Sequence, residues 1–158
     1  MEVLVYGALC AEGEERACAY MLLAAAVQEV YGISTLPEID RKIGGKPFFP
    51  TRPDICFNLS HSHGAAVCAI YDRPIGVDIE KVRPAPKRLA GTMEDREFFR
   101  LWTQKEATVK QMGKGVGALL RPFDPNPLCR TNEDLLPGWI ISVCPHEPAE
   151  IRFLRWKD

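Results

Sequence analysis

The chain has 158 residues, of which 46% are hydrophobic and 26% are charged, and its formal net charge is −1. This length suits one compact domain or two small halves that share a core. A chain so close to neutral has no global electrostatic field that would recruit nucleic acid or an anionic membrane. We therefore expect neither partner, and any attraction to a charged partner must come from a local patch.

The N-terminal segment begins Met1-Glu2-Val3 without a basic run, which is not the pattern of a signal peptide. The longest strongly apolar run, Ala17 to Val27, has 11 residues, whereas a membrane span needs roughly 20. These features favour a cytoplasmic protein. The six cysteines include no C-x-x-C pair, so in a reducing compartment we expect six free thiols.

The first half of the chain predicts a strand, a helix and three further strands. Val3 to Tyr6 is apolar and suits a first strand, and the acidic residues before Arg16 favour the start of a helix that continues to Val27. Gly32 can end this helix. Residues 36–54 are rich in proline and glycine and predict a loop. Alternation of apolar and polar residues predicts a strand over 55–60, residues 65–71 suit its partner strand, and a turn at 72–74 leads into another strand over 75–80.

The second half predicts a long helix over residues 94–112, ended by Gly113, and two short strands over 139–144 and 151–156. Helices and strands in this order favour an α+β fold with two halves. We expect two subdomains, residues 1–75 and 76–158, that form one compact unit.

Two carboxylates stand on one predicted strand, Gly76-Val77-Asp78-Ile79-Glu80. Side chains alternate along a strand, so Asp78 and Glu80 share a face and lie roughly 6–7 Å apart at about 3.3 Å per residue. Two like charges at this spacing favour a cation between them, and Mg²⁺ prefers such oxygen ligands. A solvated, half-exposed strand face is the alternative interpretation of these five residues.

The predicted long helix carries Trp102, Glu106 and Lys110 at four-residue steps, which places them along one side. Glu106 and Lys110 are compatible with an ordinary surface ion pair. An indole on the same side instead indicates a face that meets the rest of the protein. In that case the helix supplies a third metal ligand and a cation for phosphate beside Asp78 and Glu80.

Two further segments offer donors for phosphate. Ser60 and His61 lie in Phe57-Asn58-Leu59-Ser60-His61-Ser62, where hydroxyl and imidazole groups can donate to phosphate oxygens, although a turn rich in serine and histidine is usually only a turn. The proline of Gly45-Lys46-Pro47 makes its loop rigid and presents Lys46.

These four motifs occur in an order that resembles the 4′-phosphopantetheinyl transferases, and the resemblance covers residues 44–115. It is strongest to the two-halved, single-chain type that activates peptide and polyketide synthetases. The resemblance implies a pseudo-dimer of two similar α/β subdomains with coenzyme A in the cleft between them. The implied reaction moves the phosphopantetheine group of coenzyme A to a serine of a carrier protein and releases 3′,5′-ADP.

The resemblance also implies roles for single residues. Asp78, Glu80 and Glu106 would bind Mg²⁺, with Mn²⁺ as a possible substitute. Coenzyme A would contact Lys46, Pro47, Ser60, His61, Lys105 and Lys110. Glu106 would take the proton of the serine, and Lys110 would offset charge on the transferred group.

The implied partner is an acyl or peptidyl carrier protein of fatty acid, polyketide or nonribosomal peptide biosynthesis. Such carriers are acidic around their serine, and the segment from Lys81 to Arg88 carries four cations that could dock one. We expect a monomer. Two alternatives stay open: a non-catalytic module that binds coenzyme A or a carrier protein, and a metal-dependent phosphodiester hydrolase.

Overall fold

The computed structural model describes residues 1–120 and 122–157, which form three α-helices and nine strands. The helices are α1 (Glu15–Tyr31), α2 (Lys87–Ala90) and α3 (Asp95–Gln111), and a 3-10 helix spans Val116–Leu120. The strands are β1 (Val3–Leu9), β2 (Asp40–Arg41), β3 (Pro47–Phe48), β4 (Cys56–Ser62), β5 (Ala65–Tyr71), β6 (Ile75–Lys81), β7 (Arg130–Asn132), β8 (Trp139–Pro145) and β9 (Ile151–Arg155). Within these ranges, no helix has both the length and the apolar character that crossing a bilayer demands.

The strands build two main sheets and a small hairpin. The first sheet has the order β4-β5-β1-β9, the second has the order β6-β8-β7, and β2 pairs with β3. Neighbouring strands are antiparallel except β1 and β9, which are parallel. The chain therefore leaves the first sheet after β5, builds the second sheet and returns to the first with β9. The boundary after residue 75 stays a prediction, and β9 is the segment that crosses it.

The elements stack in four layers. The apolar body of α1, including Leu22 and Leu23, packs on one face of the first sheet beside Phe57 and Ile70. The opposite face of that sheet packs on the second sheet through a core that contains Val5, Val67, Val77, Ile79 and Val143. Alternation along β6 turns Val77 and Ile79 into this core, so Asp78 and Glu80 point to the other face of the strand.

The fourth layer is α3, and its packing on the second sheet depends on one glycine. A Cβ atom at Gly76 would lie 2.5 Å from the amide nitrogen of Gln111 and closer still to the carbonyl oxygen of Ala107. The backbone of α3 therefore rests directly on β6, where a side chain would separate them. This contact brings the α3 residues Glu106 and Lys110 to the strand that carries Asp78.

The α+β class predicted from the sequence is confirmed, and every predicted strand and both long helices are present within a few residues of their predicted bounds. Gly32 ends α1 in a left-handed conformation, with φ of 69°. The structure adds the β2–β3 hairpin within the predicted loop, the short helix α2 and the three-residue strand β7. The pseudo-dimeric relation between two similar subdomains stays a prediction.

The expectation of six free thiols is wrong, because Cys129 and Cys144 form a disulfide. Arg130 of β7 lies opposite Val143 of β8, so the next pair outward in this antiparallel register is Cys129 and Cys144. Their Cα atoms are 4.3 Å apart. The pairing depends on a strand too short to be predicted from its sequence.

Candidate functional site

Three carboxylates converge where α3 crosses β6. Asp78 and Glu80 project from β6, and Glu106 projects from α3. One oxygen from each carboxylate lies within 4.8 Å of the others. The predicted shared face of Asp78 and Glu80 and the inward side of Glu106 are both confirmed by this arrangement.

Asp78 is the most buried member of the cluster, with 2% of its surface exposed. Its Oδ1 accepts hydrogen bonds from the Ser60 hydroxyl at 3.0 Å and from the Lys110 ammonium at 3.4 Å. Its Oδ2 is buried and accepts no hydrogen bond from any group in residues 1–120 or 122–157. Burial raises the pKa of Asp78 well above its usual value, Lys110 opposes this shift, and the charges of Glu106 and Glu80 add to it.

Glu80 is bound by two donors. The Ser62 hydroxyl donates to its Oε2 at 3.1 Å, and the Arg83 guanidinium forms an ion pair with the same oxygen at 2.8 Å. The guanidinium also lies 4.6 Å from the centre of the Phe99 ring, a distance suited to a cation–π contact. Arg83 is therefore committed to the site and is less available for docking a partner than the sequence suggested.

Lys110 reaches the same place from the last turn of α3. Its ammonium donates to the carbonyl oxygens of Leu59 and Val77 at 3.3 and 3.1 Å, in addition to Asp78. An ammonium has three hydrogens, and all three have acceptors here. The lysine thus joins β4, β6 and α3 at the base of the cluster.

Like Lys110, Lys46 donates to backbone carbonyl oxygens of neighbouring elements. Its ammonium donates to the carbonyl oxygens of Ile75 and Lys110, each at 2.8 Å. Burial, reinforced by the nearby charges of Lys42 and Lys110, lowers the pKa of Lys46 to about 8. Lys46 therefore secures the start of β6 to the end of α3.

A cleft of about 220 Å³ opens beside these lysines. It is lined by residues 44–47 and 113–115 together with Asn58, Leu59 and Lys110. Among the residues predicted to contact coenzyme A, Lys46, Pro47 and Lys110 line this cleft together. Ser60 is buried next to Asp78, and His61 is exposed on the opposite face of β4.

Lys105 occupies a different environment. Its ammonium lies 5.6 Å from the centre of the Phe123 ring, and the residue lines a groove with Leu89, Met93 and Trp102. Consecutive residues of a helix point in different directions, so Lys105 faces this groove whereas its neighbour Glu106 faces the carboxylate cluster. The role of Lys105 toward coenzyme A stays a prediction, as do the roles of the other predicted ligands.

Sequence reasoning missed three contributors to the site: Asn58, Ser62 and Arg83. Asn58 accepts the backbone N–H of Val77 at 2.8 Å. A usable signal existed, because polar residues at 58, 60 and 62 alternate with the same period as Asp78 and Glu80. The period alone does not tell which two strand edges meet.

Comparison with known proteins adds an independent line of support. No protein-family model matches the chain. A 4′-phosphopantetheinyl transferase of Bacillus subtilis is 34% identical over 151 residues, covering 84% of this chain and 64% of the relative. The 4′-phosphopantetheinyl transferase Sfp of Bacillus subtilis (strain 168) is 29% identical, covering 72% and 66%. The 4′-phosphopantetheinyl transferase psf-1 of Bacillus pumilus is 29% identical, covering 82% and 70%.

The chain spans slightly less than two thirds of the length of the first two relatives. The matches nevertheless extend over most of this chain, and the relatives share one name. Together with the α+β fold, they support placing this chain in the 4′-phosphopantetheinyl transferase superfamily.

Proposed function

We propose that this protein transfers the 4′-phosphopantetheine group of coenzyme A to a serine of an acyl or peptidyl carrier protein and releases 3′,5′-ADP. The observation that carries the proposal is the cluster of Asp78, Glu80 and Glu106 beside Lys110. The three relatives from Bacillus carry the corresponding activity in their names. A transfer of this kind needs positioning and charge neutralisation more than covalent participation by the protein.

The carboxylates fit a divalent cation. Asp78 is buried with one oxygen that no donor of the described chain reaches, and its ionised form is disfavoured unless a positive charge compensates it. Oxygen ligands of this kind suit Mg²⁺, and Mn²⁺ accepts the same donors. Asp78, Glu80 and Glu106 would hold the ion, which when bound would neutralise charge on the pyrophosphate of coenzyme A.

A residue of this chain can accept the hydroxyl proton that the carrier-protein serine loses. The serine oxygen forms a bond to the phosphorus that bears the pantetheine arm, and the bond from that phosphorus to the oxygen of the leaving 3′,5′-ADP breaks. The serine proton passes to a carboxylate oxygen of Glu106, which belongs to the carboxylate cluster and is only half-buried. Lys110 offsets negative charge near the transferred group.

The cleft beside Lys46 and Lys110 is the proposed site of coenzyme A. It lies between the Gly44–Pro47 loop and the segment that follows α3, and it adds the cation of Lys114 to those two lysines. Its glycines allow the backbone to approach a phosphate closely. All of these residues and all three carboxylates belong to one chain, which supports function as a monomer.

An acidic carrier protein could dock beside the cluster. Lys81, Lys87 and Arg88 are exposed, and Leu89 between them and α3 is 63% exposed. Cations around an apolar contact suit a partner with acidic rim residues. Reversal of Lys87 and Arg88 to glutamate should raise the KM for carrier protein severalfold at unchanged kcat. An unchanged KM would remove this loop from the docking surface.

The direct test of the function is intact-mass spectrometry of a panel of apo carrier proteins incubated with this protein, coenzyme A and Mg²⁺. We expect the mass of one phosphopantetheine group to be added to at least one carrier, and EDTA to prevent the addition. Glu106→Gln should abolish transfer, whereas Glu97→Gln, an exposed glutamate on the same helix, should retain it. Binding of coenzyme A without transfer to any carrier would instead favour a non-catalytic binding module.

A further inference from the structure

The edges of two sheets meet beside the candidate site. Strand β4 is the end strand of the first sheet, and β6 is the end strand of the second. An end strand leaves every second N–H and C=O group without a partner in its sheet, and such groups need other partners when they are buried. We call the line of contact between Asn58, Ser60 and Ser62 of β4 and the outer edge of β6 the seam.

Side chains of β4 satisfy the outward N–H groups of β6 at two-residue steps. The Val77 N–H donates to Asn58 Oδ1 at 2.8 Å, the Ile79 N–H to Ser60 Oγ at 3.2 Å, and the Lys81 N–H to Ser62 Oγ at 3.2 Å. The three accepting side chains are all buried, with exposed fractions of 4%, 8% and 7%. At the seam, side-chain oxygens of β4 at two-residue steps therefore accept the N–H groups that a neighbouring strand would otherwise bind.

Two lysines satisfy outward carbonyl groups of the same edge. Lys46 donates to the Ile75 oxygen and Lys110 to the Val77 oxygen. The outer edge of β6 is thus fixed by polar contacts whose removal would leave backbone N–H and C=O groups unpaired. The resulting position of β6 relative to β4 is tightly specified.

The two serines make a second contact, and it is the one that matters for the site. Ser60 Oγ donates to Asp78 Oδ1 at 3.0 Å, and Ser62 Oγ donates to Glu80 Oε2 at 3.1 Å. Each serine therefore accepts a β6 amide and donates to the carboxylate of the preceding β6 residue. The same arrangement occurs twice, two residues apart on both strands.

A hydroxyl group has one hydrogen, and in Ser60 that hydrogen is on Asp78. The Ser62 hydroxyl also lies 3.0 Å from His63 Nδ1, and its hydrogen is on Glu80 when that ring nitrogen carries a hydrogen and donates to Ser62. Ser60 can donate to a phosphate oxygen only by releasing Asp78. Its contact fixes one oxygen of Asp78 and leaves the other, Oδ2, as the buried atom that lacks a donor among the described residues. The Ser62 contact likewise fixes the Glu80 carboxylate through a single oxygen.

We propose that Ser60 and Ser62 are positioning residues that orient the carboxylates of Asp78 and Glu80 for a divalent cation by tying each one to the β6 backbone. This inference rests on the metal site of the proposed function. It assigns to Ser60 a role different from direct contact with a phosphate of coenzyme A. The two roles predict opposite outcomes for one substitution.

The experiment measures the Kd of Mn²⁺ alone, from the free-ion signal in electron paramagnetic resonance, and the Kd of coenzyme A in EDTA by calorimetry. Loss of a partner that orients a metal ligand typically costs about 10–100-fold in metal affinity. We expect Ser60→Ala and Ser62→Ala each to raise the Mn²⁺ Kd by about tenfold or more. The Kd of coenzyme A without metal should not change, and Ser60→Thr, which keeps the hydroxyl, should recover most of the Mn²⁺ affinity.

Ser142→Ala is the matched control. Ser142 is fully buried on β8 opposite Asp78, but its hydroxyl contacts Thr103 and Thr131 at 2.7 and 2.8 Å instead of a carboxylate. This variant loses comparable buried hydrogen bonds and should keep the wild-type Mn²⁺ Kd within about twofold, since its contacts do not involve a metal ligand. Equal losses in Ser60→Ala and Ser142→Ala would show a general effect on stability and overturn the positioning role.

Amide hydrogen exchange followed by NMR supplies a readout that does not depend on the metal. Ser60→Ala should speed exchange of the Ile79 amide more than that of Lys81, and Ser62→Ala should do the reverse. Three results would each overturn the inference. A folded Ser60→Ala variant could keep the wild-type Mn²⁺ Kd, or it could lose affinity for coenzyme A and not for Mn²⁺. The third such result is a wild-type protein that does not bind Mn²⁺. A wild-type protein that binds Mn²⁺ but modifies no carrier would refute the proposed transfer and leave the serine comparison intact.

Discussion

Replacement of Gly76 by alanine tests the contact on which the whole site depends. The added methyl group would lie 2.5 Å from the Gln111 nitrogen and 3.0 Å from the Gln111 Cα, and closer to the Ala107 oxygen. All three atoms belong to the backbone of α3, so no flexible side chain can move aside. Ordinary contact begins at 3.4 Å, so α3 must retreat from β6 by about 1 Å (3.4 − 2.5) or more.

This displacement has two measurable costs. Overpacking a core costs about 1–3 kcal/mol, and the rigid helix backbone places Gly76→Ala at the upper end of that range, about 3 kcal/mol. For a chain of this size each kcal/mol lowers Tm by about 2–4 °C, so we expect a decrease of about 6–12 °C. Glu106 and Lys110 move with α3, and a misplacement of about 1 Å can reduce a catalysed rate by about 10²-fold.

Urea denaturation and the carrier-modification assay measure these two effects separately. Gly117→Ala is the control, because no atom of the described chain lies within 4 Å of the position that its added methyl group would take, and its backbone is not left-handed. It should keep or slightly exceed wild-type stability. If Gly76→Ala unfolds within about 1 kcal/mol of the wild-type protein, α3 does not rest on β6 as described, which refutes the reasoning.

Three further predictions concern charge and covalent structure. The raised pKa of Asp78 means that the native state holds its proton more tightly than the unfolded state, so this group's contribution to stability falls as pH rises from the unfolded value toward the folded one. Asp78→Asn should therefore raise Tm at pH 7 in EDTA and abolish any Mg²⁺-dependent increase, and a lower Tm in EDTA would contradict this. The pKa of Lys46 falls from 10.5 to about 8, so the free energy of unfolding of the wild-type protein should rise as pH increases from 8 to 10.5. Urea titrations of Lys46→Met should show a smaller rise, because the variant lacks this titrating group. The disulfide closes a separation of 15 residues, so Cys129→Ser should lower the free energy of unfolding by about 3 kcal/mol, and a reductant should weaken the wild-type protein to the same level but leave the variant unchanged.

The sequence was most informative where a local period decides the structure. Alternation along β6 correctly placed Asp78 and Glu80 on one face, and the four-residue spacing along α3 correctly turned Glu106 and Lys110 toward them. Each of these inferences needs only the geometry of one element. The position of α3 over β6 also had a local marker in Gly76, although that glycine alone did not reveal how close the helix lies.

Contacts between different strands could not be predicted from the sequence pattern of one element. Ser60 meets Asp78 and Ser62 meets Glu80 across a separation of 18 residues, and both pairs depend on which sheet edges adjoin. The sequence predicted β4 and β6 as strands without showing that they end different sheets. Cys129 and Cys144 posed the same difficulty, because β7 has too few residues to display a period.

Lys110 shows why a residue's role depends on such contacts. As a free side chain it would be an ordinary cation available to phosphate, but in the structure its three hydrogens already have three acceptors. Any phosphate that binds Lys110 must replace one of them. The longest contact, 3.4 Å to Asp78 Oδ1, is the weakest by distance and the easiest to give up. A cation beside Asp78 would compensate the carboxylate that Lys110 releases, so binding of metal and binding of phosphate should favour each other at this lysine.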